Sequence, residues 1–126
     1  MPSFGTLKAD TLTHSTAGSL ATNYVVNGSA KVFSAFDMGS SFTLQKSLNV
    51  SSLGDNGTGS GLINLTNSFS DTHPSIVSGV GDNSAHNAAA QTNEVQSTSQ
   101  YKHNHFENNS AVDVTDCSNA AFGDLA

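Results

Sequence analysis

Arginine is absent from these 126 residues, and the four lysines, Lys8, Lys31, Lys46 and Lys102, are scattered along the chain. Against ten acids they leave a net charge of -6, so no run of bases exists to neutralise phosphates or to hold an anionic lipid surface. Nucleic acid and membrane surfaces are poor partners. No stretch approaches the roughly 18 apolar residues of a membrane span, and the first thirty residues lack a basic start followed by an apolar core. The expectation is a soluble chain with no secretory signal. A single cysteine, Cys117, excludes an intramolecular disulfide framework and a thiolate-based zinc site within one chain, and its expected place is that of a small buried hydrophobe.

What is abundant is neutral polarity: 20 Ser, 12 Thr and 13 Asn, interrupting every window long enough for a helix. Apolar residues recur at spacing two, which predicts a nearly all-β chain. Phe42, Leu44, Lys46, Leu48 and Val50 are expected on one face of a strand, with a bulge or strand end near Ser51 because Leu53 is out of phase. The cluster from Leu53 to Gly61 reads as a hairpin turn, followed by a strand over 62–69 with Ile63, Leu65 and Phe69 on one face. Residues 30–37 are apolar on both parities, the mark of a central strand covered on both faces. Further strands are expected at 75–80, 94–101 and 110–117, with 120–124 as an extension of the last, and a polar loop with a helical turn at 81–92.

Six or more short strands in a single domain predict a small antiparallel β-sandwich, jelly-roll-like, over residues 30–126. Residues 1–29 are expected to form an extended N-terminal arm rather than part of the core. Few large apolar residues make a thin core, and burying uncharged strand faces against identical subunits relieves that deficit. A homotrimer is the expected state.

Chemistry is hard to find. His103 and His105 have the spacing that puts two imidazoles on one side of a strand, so three chains around an axis could offer six nitrogens to a metal, but an exposed polar loop is the favoured reading. Tyr101 and Phe106 flank that stretch, and Tyr101, Lys102, His103, Asn104, His105 and Phe106 together form the candidate loop for contact with a sugar or a partner protein. Asp71, His73 and Ser75 lie too close in sequence for a working triad. The glycine cluster lacks the lysine of a phosphate loop. Glu94 and Glu107 are the only glutamates, and nothing points to a glycosidase pair. The expected catalytic, cofactor and metal residues are therefore none.

Four segments carry a resemblance: Leu7 to His14; Gly28 to Lys31 with Phe33 and Phe36; Ser47 to Gly59; and Phe122 to Asp124. In this order they resemble a small β-domain of marine bacteriophage structural proteins, found in tail fibres of cyanophages and their relatives. Ser47 to Gly59 is the most specific part. The chain departs from the family pattern at Phe33, where tryptophan is usual, and at Lys46-Ser47, where Arg-Asp is common. The resemblance implies a trimeric, non-enzymatic virion component, on the tail or its fibres or as a capsid decoration protein. Its partners would be itself, other virion proteins and a host surface glycan or protein. Leu7, Lys8, Asp10 and Leu12 are the candidate virion-docking residues of the arm. A carbohydrate-active enzyme is the alternative from another class.

Overall fold

The computed structural model describes residues 9–39, 41–81 and 89–126. Two short strands, β1 (Thr11–His14) and β2 (Gly18–Ala21), form an antiparallel ribbon with Leu12 opposite Leu20, followed by a short helix, α1 (Thr22–Gly28). Leu7 and Lys8 lie outside the described residues. Between residues 9 and 29 the chain is therefore a two-stranded ribbon followed by a seven-residue helix.

The remainder is an all-β antiparallel sandwich. One sheet, the β3 sheet, runs β4 (Thr43–Leu48), β3 (Val32–Asp37), β11 (Cys117–Phe122), β7 (Ser75–Val80). The other, the β9 sheet, runs β5 (Val50–Asp55), β6 (Ser60–Leu65), β9 (Gln100–Glu107), β8 (Ala89–Ser97). The two-residue β10 (Ser110–Ala111) pairs with the end of β9, beyond the start of β6. Val32, Phe36, Met38, Ile63, Tyr101, Cys117 and Ala121 fill the space between the sheets.

Alternation explains most of this. β3, β6, β9 and β11 each show a strict in-and-out burial pattern, as a strand with one buried face must. The turn at 56–59 and strand β7 stand where the sequence reading puts them. The irregularity foreseen near Ser51 is a register shift between Val50 and Ser52.

Four expectations are corrected. The single face from Phe42 to Val50 is split twice. A bulge at the β3–β4 pairing shifts register between Ala35 and Phe36, so Leu44 lies opposite inward Phe36 while Lys46 and Leu48 lie opposite outward Ala35 and Phe33. Asn49 then adopts a φ of 59°, and its carboxamide bonds the Asn67 N–H (2.7 Å) and carbonyl (3.0 Å), turning the chain from the β3 sheet into the β9 sheet. The strand expected over 94–101 is instead the end of β8, a turn at Thr98–Ser99 and the start of β9. Serine and threonine at 97–99 close a tight hairpin that alternation alone does not mark. Of the loop expected over 81–92, residues 89–92 belong to β8, and 82–88 lie outside the described residues. The strand expected over 110–117 is cut to β10, and β11 begins at Cys117, after Asp116 with a φ of 54°.

Candidate interaction surfaces

The predicted contact loop is not a loop. Tyr101 to Phe106 form the middle of β9, paired on one side to β8 and on the other to β6 as far as Asn104 and to β10 at Phe106. Tyr101, His103 and His105 point inward and are fully buried, while Lys102, Asn104 and Phe106 point outward and are half-buried. The two imidazoles do share one side of a strand, but it is the inner side. A ring of six imidazoles about a symmetry axis has no place in this arrangement, and no group of three metal-ligating side chains occurs among the described residues.

These inward groups build a polar centre in an otherwise apolar core. Ser34 and Tyr101 both donate to the Asn119 Oδ1, at 2.6 and 2.7 Å. His103 meets the edge of Phe36 at 5.5 Å between ring centroids, and among the described residues neither of its ring nitrogens has a hydrogen-bond partner. Burial, with His105 beside it, lowers the His103 imidazole to about 4, so it is neutral at pH 7. Burial pushes the Tyr101 phenol up and raises the Cys117 thiol to about 12, with Asp37 and Asp116 adding to the latter. Cys117 is thus the inert buried hydrophobe its context predicts. His105 Nε2 lies 3.1 Å from Glu107 Oε1 at the rim of this cluster. The cluster is closed to solvent and holds no activated nucleophile.

Outward of β9 lies a hydrogen-bonded ladder. Gln100 donates to Asn64 Oδ1 (2.6 Å), Asn64 donates to Ser52 Oγ (3.1 Å), and Ser60 donates to Asn104 Oδ1 (2.7 Å). Lys102 sits 3.8 Å from Glu94 on the neighbouring strand. Every pair follows from the register, which sets Ser52, Asn64 and Gln100 in one row and Ser60, Asn104 and Thr92 in another.

The outer face of the β3 sheet is the opposite in character. Its register aligns Leu48, Phe33, Ala120 and Val77 in a single row across all four strands. Leu48 is 49% exposed, Phe33 42% and Val77 55%. The next row is Lys46, Ala35, Ser118 and Gly79, so small side chains form the floor of a shallow groove between Phe33 and Val77. Neither row carries a carboxylate. The sequence marks this face indirectly: the apolar character of residues 30–37 on both parities predicts cover on both sides of β3, yet one side is open in the single chain. What the sequence reading missed is that Lys46 and Leu48 join it, because the bulge that turns them outward has no composition of its own.

Among the described side chains of residues 9–29 none is buried, and Thr22 alone is half-buried. Leu12, Leu20, Tyr24, Val25 and Val26 are all exposed, Asp10 is exposed, and α1 has no side-chain N-cap. No protein-family model, curated protein or solved structure matches the chain.

The other candidate chemistries find no assembled site. Asp71 Oδ1 accepts from the His73 backbone N–H at 2.8 Å, forming a turn, and no hydrogen bond among the described residues joins His73 to Ser75. In the glycine cluster, Gly59 (φ 68°) donates to Asp113 Oδ1, and a Cβ there would fall 2.6 Å from the His105 carbonyl oxygen. That close backbone approach, not a phosphate, explains the glycine. Neither the groove on the β3 sheet nor the one on the β1–β2 ribbon is lined by Asp or Glu.

Proposed function

We propose that this chain is a non-enzymatic structural protein of a phage particle, a tail or tail-fibre component. It associates with copies of itself, attaches through its N-terminal segment and presents the sandwich to a host surface. The observation that carries the reading is the open outer face of β3. A strand with the sequence of two-sided burial has one side in water, where Phe33 stands in an uncharged apolar row between Leu48 and Val77. Such a face serves assembly. The resemblance of Leu7 to His14, of Ser47 to Gly59 and of Phe122 to Asp124 to marine phage β-domains supplies the setting.

Gold-labelled antibody imaging of intact phage encoding the chain tests the setting. Label at the tail or fibre tips is the expected outcome, together with inhibition of adsorption by the purified protein. Label spread over the head would make it a capsid decoration protein. Absence of label from the particle would overturn the virion reading.

A further inference from the structure

We propose that residues 9–29 of one copy dock on the outer face of the β3 sheet of a second copy. The inference rests on the reading of the chain as a self-associating protein and names the two surfaces that meet. It starts from the stability of the segment. A lone two-stranded ribbon is marginal in water, and so is an isolated helix shorter than about 12 residues. Here the ribbon has four-residue strands, the helix seven residues, and among their described side chains none is buried. A surface must cover them to hold them in this form.

Its own sheet is a poor source of that surface. Only Ser29, Ala30 and Lys31 separate α1 from β3. Lys31 is fixed at both ends: its N–H donates to the Ala121 carbonyl at 2.8 Å, and its ammonium donates to the carbonyls of Val26 and Ser29. The last turn of α1 is thereby held at the start of the central strand β3, with Tyr24, Val25 and Val26 exposed to water. A short clamped connection of this kind favours exchange between chains over folding back.

Charge selects the face. The segment carries one charged residue, Asp10, in a chain whose net charge is -6. Across the two central rows of the β3 sheet the one charged side chain is Lys46, exposed and without a carboxylate in either row. The β9 sheet offers polar groups already bonded to one another, with Glu94 beside its single lysine. Apolar side chains from Leu12 to Val26 lose water most favourably over Phe33, Val77 and the small-residue groove between them. The contact is head-to-tail, so each copy offers both a segment and a face, and a closed ring satisfies all of them.

Light scattering with complementary variants tests this. The full chain at micromolar concentration is expected at a multiple of 13.0 kDa. Leu20→Asp/Val26→Asp disables the segment and Leu48→Asp/Val77→Asp disables the face; all four positions are exposed, and each variant alone is expected at 13.0 kDa. Mixed together they are expected to form a pair of twice that mass, since one retains the face and the other the segment. A monomeric full chain, a segment variant that keeps the full-chain mass, or a mixture that stays monomeric would each overturn the proposal. Where a variant fails to melt cooperatively, Val26→Cys and Val77→Cys copies replace it. Oxidation of their mixture must cross-link the two different copies, and its absence counts against the contact. Imaging of particles is read separately: label missing from phage defeats the virion setting while leaving the exchange standing, and the converse result does the reverse.

Discussion

The two outer faces of the sandwich spend the same kinds of residue in opposite ways. On the β9 sheet, serine and asparagine side chains bond one another across strands, and the face is finished without a partner. On the β3 sheet, serine and glycine are reduced to a floor, and Phe33, Leu48 and Val77 rise from it unpaired. Neither face uses much charge, so overall composition does not distinguish them. Register does. Cross-strand rows decide whether neutral polar side chains meet one another or meet apolar ones.

The largest effect separates the inner and outer sides of a single strand. Phe36 is fully buried, and Phe36→Ala should cost about 3–5 kcal/mol of stability at any protein concentration. Phe33, three residues earlier, is 42% exposed, so Phe33→Ala should cost a fraction of that in the isolated chain. Its larger effect is expected on the assembly, as a melting temperature that no longer rises with protein concentration. Thermal melts of both variants across a concentration series check the contrast. Equal and concentration-independent losses would mean that both sides of β3 belong to one chain's core.

Acid should break the inside before it disturbs either outer face. The His103 imidazole is lowered to about 4 in the folded chain from an ordinary 6.5, so between these values the unfolded chain binds the extra proton. Stability is therefore complete above pH 6.5 and falls as the pH drops toward 4, by about 3 kcal/mol in all. Denaturant midpoints at pH 7 and pH 4.5, compared with those of His103→Leu, isolate this share. A variant with an unchanged pH slope would mean that another group carries it.

The same histidines show how much of the molecule is legible without coordinates. The sandwich, the hairpin turn at 56–59, strand β7 and the irregularity near Ser51 follow from alternation and turn chemistry, which are local signals. The orientation of β9 does not. Alternate positions from Gln100 to Glu107 read Tyr, His, His, Glu on one side and Gln, Lys, Asn, Phe on the other, and hydropathy does not say that the first set faces the core. Burial of Tyr101 and His103 is settled by partners distant in sequence: Asn119 and Ser34 for the phenol, Phe36 for the imidazole. The open face was half visible, through residues 30–37. Its extension to Leu48 depends on the bulge beside Phe36, and bulges in a chain so rich in Ser and Asn have no composition that sets them apart.

The smallest effect tests the finished face. Gln100→Ala removes the 2.6 Å bond to Asn64 on a half-buried row and leaves the Asn64 carbonyl oxygen within reach of water. A single neutral hydrogen bond contributes about 0.5–1.5 kcal/mol, so the expected loss is near 1 kcal/mol with no change in assembled mass. The double substitution Gln100→Ala/Ser52→Ala should cost less than the sum of its parts only if the row acts as a connected chain, because Asn64 accepts from one neighbour and donates to the other and each single substitution already weakens the remaining bond. Urea midpoints of the two single variants and the double variant give that coupling directly. A fall in assembled mass for any of them would move the contact between copies to the β9 sheet and reverse the contrast between the faces.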